Sequence, residues 1–133
     1  MTSSAGTPEQ QQELIKAATE GDVTRVRQLL EAGVGADAED KDRYSALTNA
    51  ICHKHGEVAR LLIEAGADVN HKNKYDFTPL ICAGSTGQED IVRLLLEKGA
   101  CLEAISTSGC TAWTQAASNG HVGTLGILLE ACA

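Results

Sequence analysis

Residues 78–100, TPLICAGSTGQEDIVRLLLEKGA, carry the start and stop signals of two short helices in succession. Thr78 can accept hydrogen bonds from the unpaired amides of a helix start, and Pro79 is tolerated at the first helical position. The following segment, EDIVRLLLEKG, places apolar residues at helical spacing and ends at Gly99, which suits the left-handed conformation after a helix. The stretch therefore predicts a helix, a turn and a second helix.

The same pattern recurs every 33 residues without a gap, as the positions of Ser45, Thr78 and Thr111 show. Three apolar columns keep this register: Leu14, Leu47, Leu80 and Trp113; Ala17, Ala50, Ala83 and Ala116; Leu29, Leu62, Leu95 and Leu128. One such unit cannot bury its apolar face alone, so at least about three units must stack. The sequence therefore predicts an array of helix pairs in four copies.

With these motifs, the chain resembles the ankyrin-repeat family. The third copy, 78–100, is the most similar, and the second contributes HGEVARLLIEAGADVN at 55–70. The resemblance implies an all-α solenoid of helix-turn-helix units with projecting β-hairpin or loop fingers. We expect a flexible N-terminus at 1–7 and a single ankyrin-repeat domain at 8–133, with approximate repeats at 8–39, 40–72, 73–105 and 106–133.

The two ends of the array differ in their capping signals. Thr7 and Gln10 have the spacing of a capping box, which predicts an earlier helix start in the first repeat. The last repeat retains the apolar residues Leu125, Ile127, Leu128 and Leu129 without an obvious polar exchange. Gly123 and Gly126 weaken its second helix by about 1 kcal/mol each relative to Ala. We expect this edge to be the least stable part, or to be covered by another segment or a partner.

Composition excludes several functional classes. The net charge of −7 argues against a nucleic-acid binder, which needs clustered cations, and against binding to an anionic membrane surface. No apolar run approaches the roughly 20 residues that span a bilayer, and the N-terminus lacks a secretory signal. We therefore expect a cytoplasmic or nuclear protein, with no membrane or nucleic acid as partner.

The sequence contains no motif typical of an enzyme. A glycine-rich phosphate loop, HExxH and GxSxG are all missing, and the acidic residues are spread out rather than paired in one pocket. We expect no catalytic activity and no cofactor. A metal site at Cys52, His53 and His55 is the alternative, but a structural zinc site needs four converging ligands and no nearby pair supplies the others. We therefore predict no metal.

The ankyrin resemblance implies protein binding through the finger tips and the concave face of the first helices. The register places the three fingers at 39–44, 72–77 and 105–110, which we call fingers one, two and three. The candidate contact residues at and after these fingers are Lys41, Asp42, Tyr44, Cys52, His53, Lys74, Tyr75, Phe77, Ser85, Thr86, Ser108, Cys110, Ser118 and Asn119. Charge varies along the row: DAEDKDR at 37–43 is mainly acidic, HKNKYD at 71–76 is basic, and AISTSG at 104–109 is neutral.

Two readings of the finger aromatics stay open. Tyr44, Tyr75 and Phe77 are either interface anchors for a partner or side chains that pack against neighbouring fingers and stiffen the row. Asn70 also has two readings. In this family an asparagine at its position is sometimes modified by an asparaginyl hydroxylase, whereas its structural role is to stabilise the hairpin by local hydrogen bonds.

The turn between the helices of the second repeat departs from the pattern. Lys54 occupies a column that holds Gly21, Gly87 and Gly120, so a left-handed backbone there costs about 1–2 kcal/mol. The neighbouring Gly56 offers an alternative, because it could let the turn shift. His55 shares a column with Asp22, Gln88 and His121, and we predict that it forms hydrogen bonds around the turn.

The function predicted from these observations is a non-catalytic adaptor or regulatory binding module with a protein partner. One alternative is a stand-alone inhibitor that occludes an enzyme or a capping protein. Another alternative is a structural array without a partner of its own. We expect a monomer, with association through the C-terminal helix as the other possibility.

Overall fold

The computed structural model describes residues 7–132. Within this range the regular elements are all α-helices. The helices are α1 (Pro8–Glu20), α2 (Val23–Glu31), α3 (Ala46–Cys52), α4 (Gly56–Glu64), α5 (Pro79–Thr86), α6 (Glu89–Glu97), α7 (Ala112–Ser118) and α8 (Val122–Cys132). They form the predicted pairs, one pair in each repeat, which confirms the all-α repeat fold. A boundary between Asp68 and Val69 divides the chain into two compact units. The predicted single domain at 8–133 stays a prediction.

Unit one contains the first two helix pairs. The first helices α1 and α3 pack against each other, the second helices α2 and α4 do the same, and each repeat joins the two layers. The interior is mainly apolar, and the leucine and alanine columns contribute to it together with neighbouring residues. Leu14, Ala18, Leu47, Ala50, Val58 and Leu62 are fully buried. Burying one such leucine stabilises the fold by about 1.5–3 kcal/mol.

The start of α1 follows the predicted capping box. The Thr7 hydroxyl accepts the Gln10 amide at 3.1 Å, and the Gln10 side chain accepts the Thr7 amide at 3.0 Å. Residues 1–6, the rest of the predicted flexible N-terminus, lie outside the described range. The array therefore begins with a fully capped helix at Pro8.

Unit two repeats the same two-layer arrangement with α5 on α7 and α6 on α8. Its first helices approach very closely, because a Cβ on Gly84 would lie only 2.7 Å from the carbonyl oxygen of Ala112. Small residues are therefore required on this face. The leucine column is only partly continued, since Leu80 is buried whereas Trp113 is half-buried. The expectation from the apolar column that Trp113 is buried like its leucine counterparts is met only in part: α7 packs against α5 and α8, and the indole stays half-buried.

The last helix α8 divides its apolar residues between core and surface. Ile127 and Leu128 are buried, whereas Val122 and Leu129 are exposed over 78% and 53% of their surfaces. Gly126 faces open space, and the Glu89 carboxylate lies against the backbone of Gly123. The edge of the array therefore presents apolar side chains to the surface.

The turn after each first helix uses one left-handed residue. Gly21, Gly87 and Gly120 have φ between 74° and 78°, and Lys54 has φ 65° in the equivalent position. Of the two alternatives for this turn, the structure therefore has the left-handed backbone at Lys54, and Gly56 does not relieve it, because that glycine is already the first residue of α4.

Candidate protein-binding surface

All three fingers are closed by the same backbone hydrogen bond. The amides of Asp40, Asn73 and Ser106 donate to the carbonyl oxygens of the residues four positions later at 2.9, 3.2 and 2.8 Å. Finger one also forms an isolated antiparallel bridge between Glu39 and Ser45. The predicted fingers are therefore narrow loops in one repeated conformation.

The side chains of the same three residues fix the interior of each finger. Asp40 Oδ1 accepts the amides of Asp42 and Tyr44, both at 2.9 Å. Asn73 Oδ1 likewise accepts two amides, from the residues two and four positions later, at 2.8 and 3.1 Å. Ser106 Oγ accepts the Cys110 amide at 3.0 Å. Short polar side chains of this kind stabilise turns by bonding to nearby backbone, so each finger carries its own internal brace.

Sequence analysis missed this bracing column. The available signal was the recurrence of Asp40, Asn73 and Ser106, three short acceptors at intervals of 33 residues. The three residue types differ, so the column does not stand out as the identical leucine and alanine columns do. Asn73 is the most constrained of the three, with 2% of its surface exposed and no partner for its Nδ2 atom.

The backbone at the end of each finger is left-handed. Arg43 and Asp76 have φ of 66° and 61°, and Gly109 has 86°. A non-glycine residue in this conformation costs about 1–2 kcal/mol, so fingers one and two hold strain that finger three avoids. The brace of Asp40 and Asn73 helps to offset that strain.

Each finger leads directly into a capped helix. The hydroxyls of Ser45, Thr78 and Thr111 accept the amide three positions later at 3.1, 3.3 and 3.1 Å, as predicted for Thr78. Ser45 and Thr78 are buried, so the base of each of these two fingers is anchored in the protein interior. The tips are therefore held by backbone bonds at one end and a helix start at the other.

The candidate contact residues are all at least partly accessible. Nine are exposed: Lys41, Asp42, Cys52, His53, Lys74, Tyr75, Ser108, Ser118 and Asn119. Five are half-buried: Tyr44, Phe77, Ser85, Thr86 and Cys110. The three finger aromatics thus separate, because Tyr75 is exposed over 46% of its surface while the other two pack partly against the protein.

In unit two, polar residues at the ends of the first helices bind one another. Asn119 Nδ2 donates to the carbonyl oxygen of Ser85 at 2.9 Å, and His121 Nε2 lies 3.0 Å from the same oxygen. The Thr86 hydroxyl donates to the Cys82 carbonyl oxygen at 3.1 Å. Part of this predicted contact surface therefore joins the last two repeats to each other.

The turn histidines lie over the glycines of the preceding repeat. A Cβ on Gly21 would lie 2.5 Å from His55 Nδ1, and Gly87 has the same relation to His121. His55 hydrogen-bonds around the turn as predicted, but through its backbone: its amide donates to the Ala50 carbonyl oxygen at 2.8 Å, whereas its side chain makes no bond to the start of α4. The ring instead acts by packing against a backbone that has no Cβ.

The residues of the alternative metal site do not form a ligand set. The rings of His53 and His55 stack with centroids 6.4 Å apart, and His53 Nδ1 lies 2.8 Å from the Asn49 carbonyl oxygen. Within residues 7–132, no group of three His, Cys, Asp or Glu side chains is arranged to hold a metal ion.

Asn70 joins two repeats of unit two. Its Nδ2 donates to the Gly99 carbonyl oxygen at 3.1 Å, and its Oδ1 accepts the Cys101 amide at 2.7 Å. In unit one, Asp37 Oδ1 accepts the Asp68 amide at 2.7 Å across a similar separation. These bonds reach 29 to 31 residues along the chain, so the structural role of Asn70 extends beyond its own hairpin.

Finger three carries a chain of hydroxyl and thiol groups. Ser106 Oγ lies 3.1 Å from Ser108 Oγ, which lies 3.4 Å from Cys110 Sγ. The hydrogen bond with Ser108 lowers the pKa of the Cys110 thiol; partial burial opposes this, while bonds with Ser106 and Gln115 lower it further. The thiolate is therefore more populated at neutral pH than in an ordinary cysteine.

Comparison with known proteins agrees with this geometry. The sequence model of the family of ankyrin repeats in three copies matches residues 14–106 and 71–133, which together cover most of the chain. The chain belongs to the ankyrin-repeat family. Members of this family are generally protein–protein interaction modules and are typically non-catalytic.

One further comparison and one property of the helices bear on the chain. No curated protein matches it in sequence. Among the helices of residues 7–132, none is both long and apolar enough to cross a membrane.

Proposed function

We propose that the chain is a non-catalytic adaptor or regulatory module that binds a protein partner through its finger tips and the exposed ends of its first helices. The observation that carries the proposal is the repeated finger frame, which stays constant while the tips vary. Asp40, Asn73 and Ser106 brace the frame, whereas the exposed column two residues later holds Asp42, Tyr75 and Ser108.

A constant frame with variable tips suits recognition on physical grounds. Ordering a loop on binding costs about 0.5–1.5 kcal/mol for each immobilised side chain, in addition to the backbone entropy. In the fingers most of the backbone entropy is lost during folding and not on binding, because the brace and the helix caps already fix the tip. A partner then gains contact area without having to order the loop.

The test compares two triple variants in a pull-down titration with a partner identified by affinity purification and mass spectrometry. Replacing Tyr44, Tyr75 and Phe77 by Ala should weaken binding much more than replacing Arg27, Arg60 and Arg93, which lie on second helices. Since Tyr44 and Phe77 are half-buried, circular dichroism must show that the first variant is folded. Equal losses in the two folded variants would contradict the proposal.

A structural array is the second candidate, and the surface of α8 favours it. Val122 and Leu129 are among the most exposed large apolar residues of the described chain. Light scattering distinguishes the two: an oligomer that grows with concentration and is lost in Leu129→Glu supports assembly, whereas a monomer at all concentrations supports the adaptor proposal. Cytoplasm or nucleus remains our proposed location for either function, and imaging of a tagged chain checks it.

A further inference from the structure

Finger two exposes a different combination of groups from the other fingers. Lys72, Lys74 and Tyr75 are all exposed. The Lys74 Nζ atom lies 5.2 Å from the centroid of the Tyr75 ring, which is the distance of a cation–π contact. One tip therefore carries two exposed lysines, and the ammonium group of one of them lies against an exposed aromatic ring.

Fingers one and three lack this combination. In finger one, Tyr44 is half-buried, Arg43 pairs with Glu39 at 3.8 Å, and Lys41 is followed by Asp42. Finger three has no charged residue between Ile105 and Cys110. The cationic and aromatic character is thus concentrated in finger two, within a chain whose net charge is −7.

The backbone holds Tyr75 in place on both sides. Its amide donates to Asn73 Oδ1 at 2.8 Å, and its carbonyl oxygen accepts the Thr107 amide of finger three at 2.9 Å. Finger three also carries Ile105, which is exposed over 55% of its surface. Two large apolar side chains therefore stand exposed on a pair of fingers that are joined by their backbones.

We propose that fingers two and three bind an acidic segment of a protein partner. Its carboxylates pair with Lys72 and Lys74, and an adjacent apolar side chain packs on Tyr75 and Ile105. This proposal rests on the proposed function. Charge complementarity selects an acidic occupant, because the two lysines outnumber Asp76, the single carboxylate of finger two, and give this tip a net positive charge. A polyphosphate is disfavoured, since the remaining surface of the chain is anionic.

The probe is a display library of random peptides selected on immobilised wild-type protein. Enriched peptides should be rich in Asp and Glu beside an apolar residue, and their affinity should fall as salt screens the charges. The test variant is Lys72→Glu with Lys74→Glu, which we expect to weaken binding by at least about tenfold. The matched control is Arg93→Glu with Lys98→Glu, two exposed cations of the same unit on and just after α6.

The outcomes separate this inference from the proposed function. Acidic peptides that are lost in the finger-two variant and retained in the control support it. Selection of neutral or basic peptides, or equal binding by the two variants, overturns the inference. The proposed function survives that result if Tyr75→Ala still weakens the binding of the selected peptides. Selection no better than on an uncoated surface overturns both.

Discussion

Replacing Lys54 by Gly should stabilise the protein, because Lys54 is held at φ 65°. The amide of Lys54 donates to the Ile51 carbonyl oxygen at 3.0 Å, and the next amide, of His55, donates to Ala50 at 2.8 Å. These bonds close the end of α3 and require the left-handed residue. The side chain of Lys54 is exposed, so the substitution removes no core contact.

The magnitude follows from two opposing terms. Releasing a non-glycine residue from the left-handed region gains about 1–2 kcal/mol. Glycine also adds about 0.4–1 kcal/mol of conformational entropy to the unfolded chain, which offsets part of that gain. The net increase in unfolding free energy is therefore about 0.5–1 kcal/mol. For a chain of this size, the melting temperature should rise by about 2–4 °C.

The assay is thermal and urea unfolding followed by circular dichroism, with an unchanged dependence on urea as the check that the unfolded state is comparable. The reverse control is Gly120→Lys, at φ 74°, where no atom lies within 4 Å of the added Cβ. It should lower stability by a similar amount. If Lys54→Gly leaves the midpoint unchanged or lowers it while Gly120→Lys destabilises, the lysine side chain must stabilise the turn, and the strain argument is refuted.

Gly126→Ala should raise stability by about 1 kcal/mol because its Cβ meets no atom, whereas Gly123→Ala should gain less because it displaces the Glu89 carboxylate; urea unfolding of the two variants measures the difference. Asn73→Ala should lower stability by about 1–3 kcal/mol, since two amides of finger two lose their acceptor, and an unchanged urea midpoint would show that the brace is dispensable. Ser108→Ala should raise the pKa of the Cys110 thiol, because the variant removes the hydrogen bond that favours the thiolate. The pH midpoint of Cys110 alkylation should therefore move upward. Mass spectrometry of alkylated peptides measures this midpoint, with the exposed Cys101 as the internal control.

The elements that local chemistry specifies were predictable from sequence. Thr78 and Pro79 act within one helical turn, and Thr7 and Gln10 are only three positions apart, so the caps could be located without knowledge of the fold. The left-handed backbone at Lys54 was predictable for a different reason. Three glycines in the same column showed what conformation that position adopts in every repeat.

The strain at Arg43 and Asp76 could not be predicted in the same way. Their column contains only one glycine, Gly109, and although aspartate adopts a positive φ more often than most residues, arginine does not. Their conformation depends on side-chain bonds of Asp40 and Asn73 to the finger backbone. A sequence pattern shows that such residues recur, but it does not show which amides they accept.

The sequence by itself determined the repeat, the helix pairs and the positions of the fingers. Apolar columns at intervals of 33 residues leave each repeat with an uncovered face, and stacking on a neighbouring repeat is the way to bury it. Only the tertiary structure decided which finger aromatic is exposed. Tyr75 is exposed whereas Tyr44 and Phe77 are half-buried, because the exposure of a side chain depends on the neighbours that it contacts in the folded chain.

The contacts between repeats were likewise decided only in three dimensions. Asn70 reaches Cys101, and His121 reaches Ser85, across separations of 31 and 36 residues. Local sequence signals act over a few positions, whereas these bonds require two repeats to be stacked in register first. The sequence therefore sets the frame of the binding surface, and packing between repeats sets which groups that frame presents.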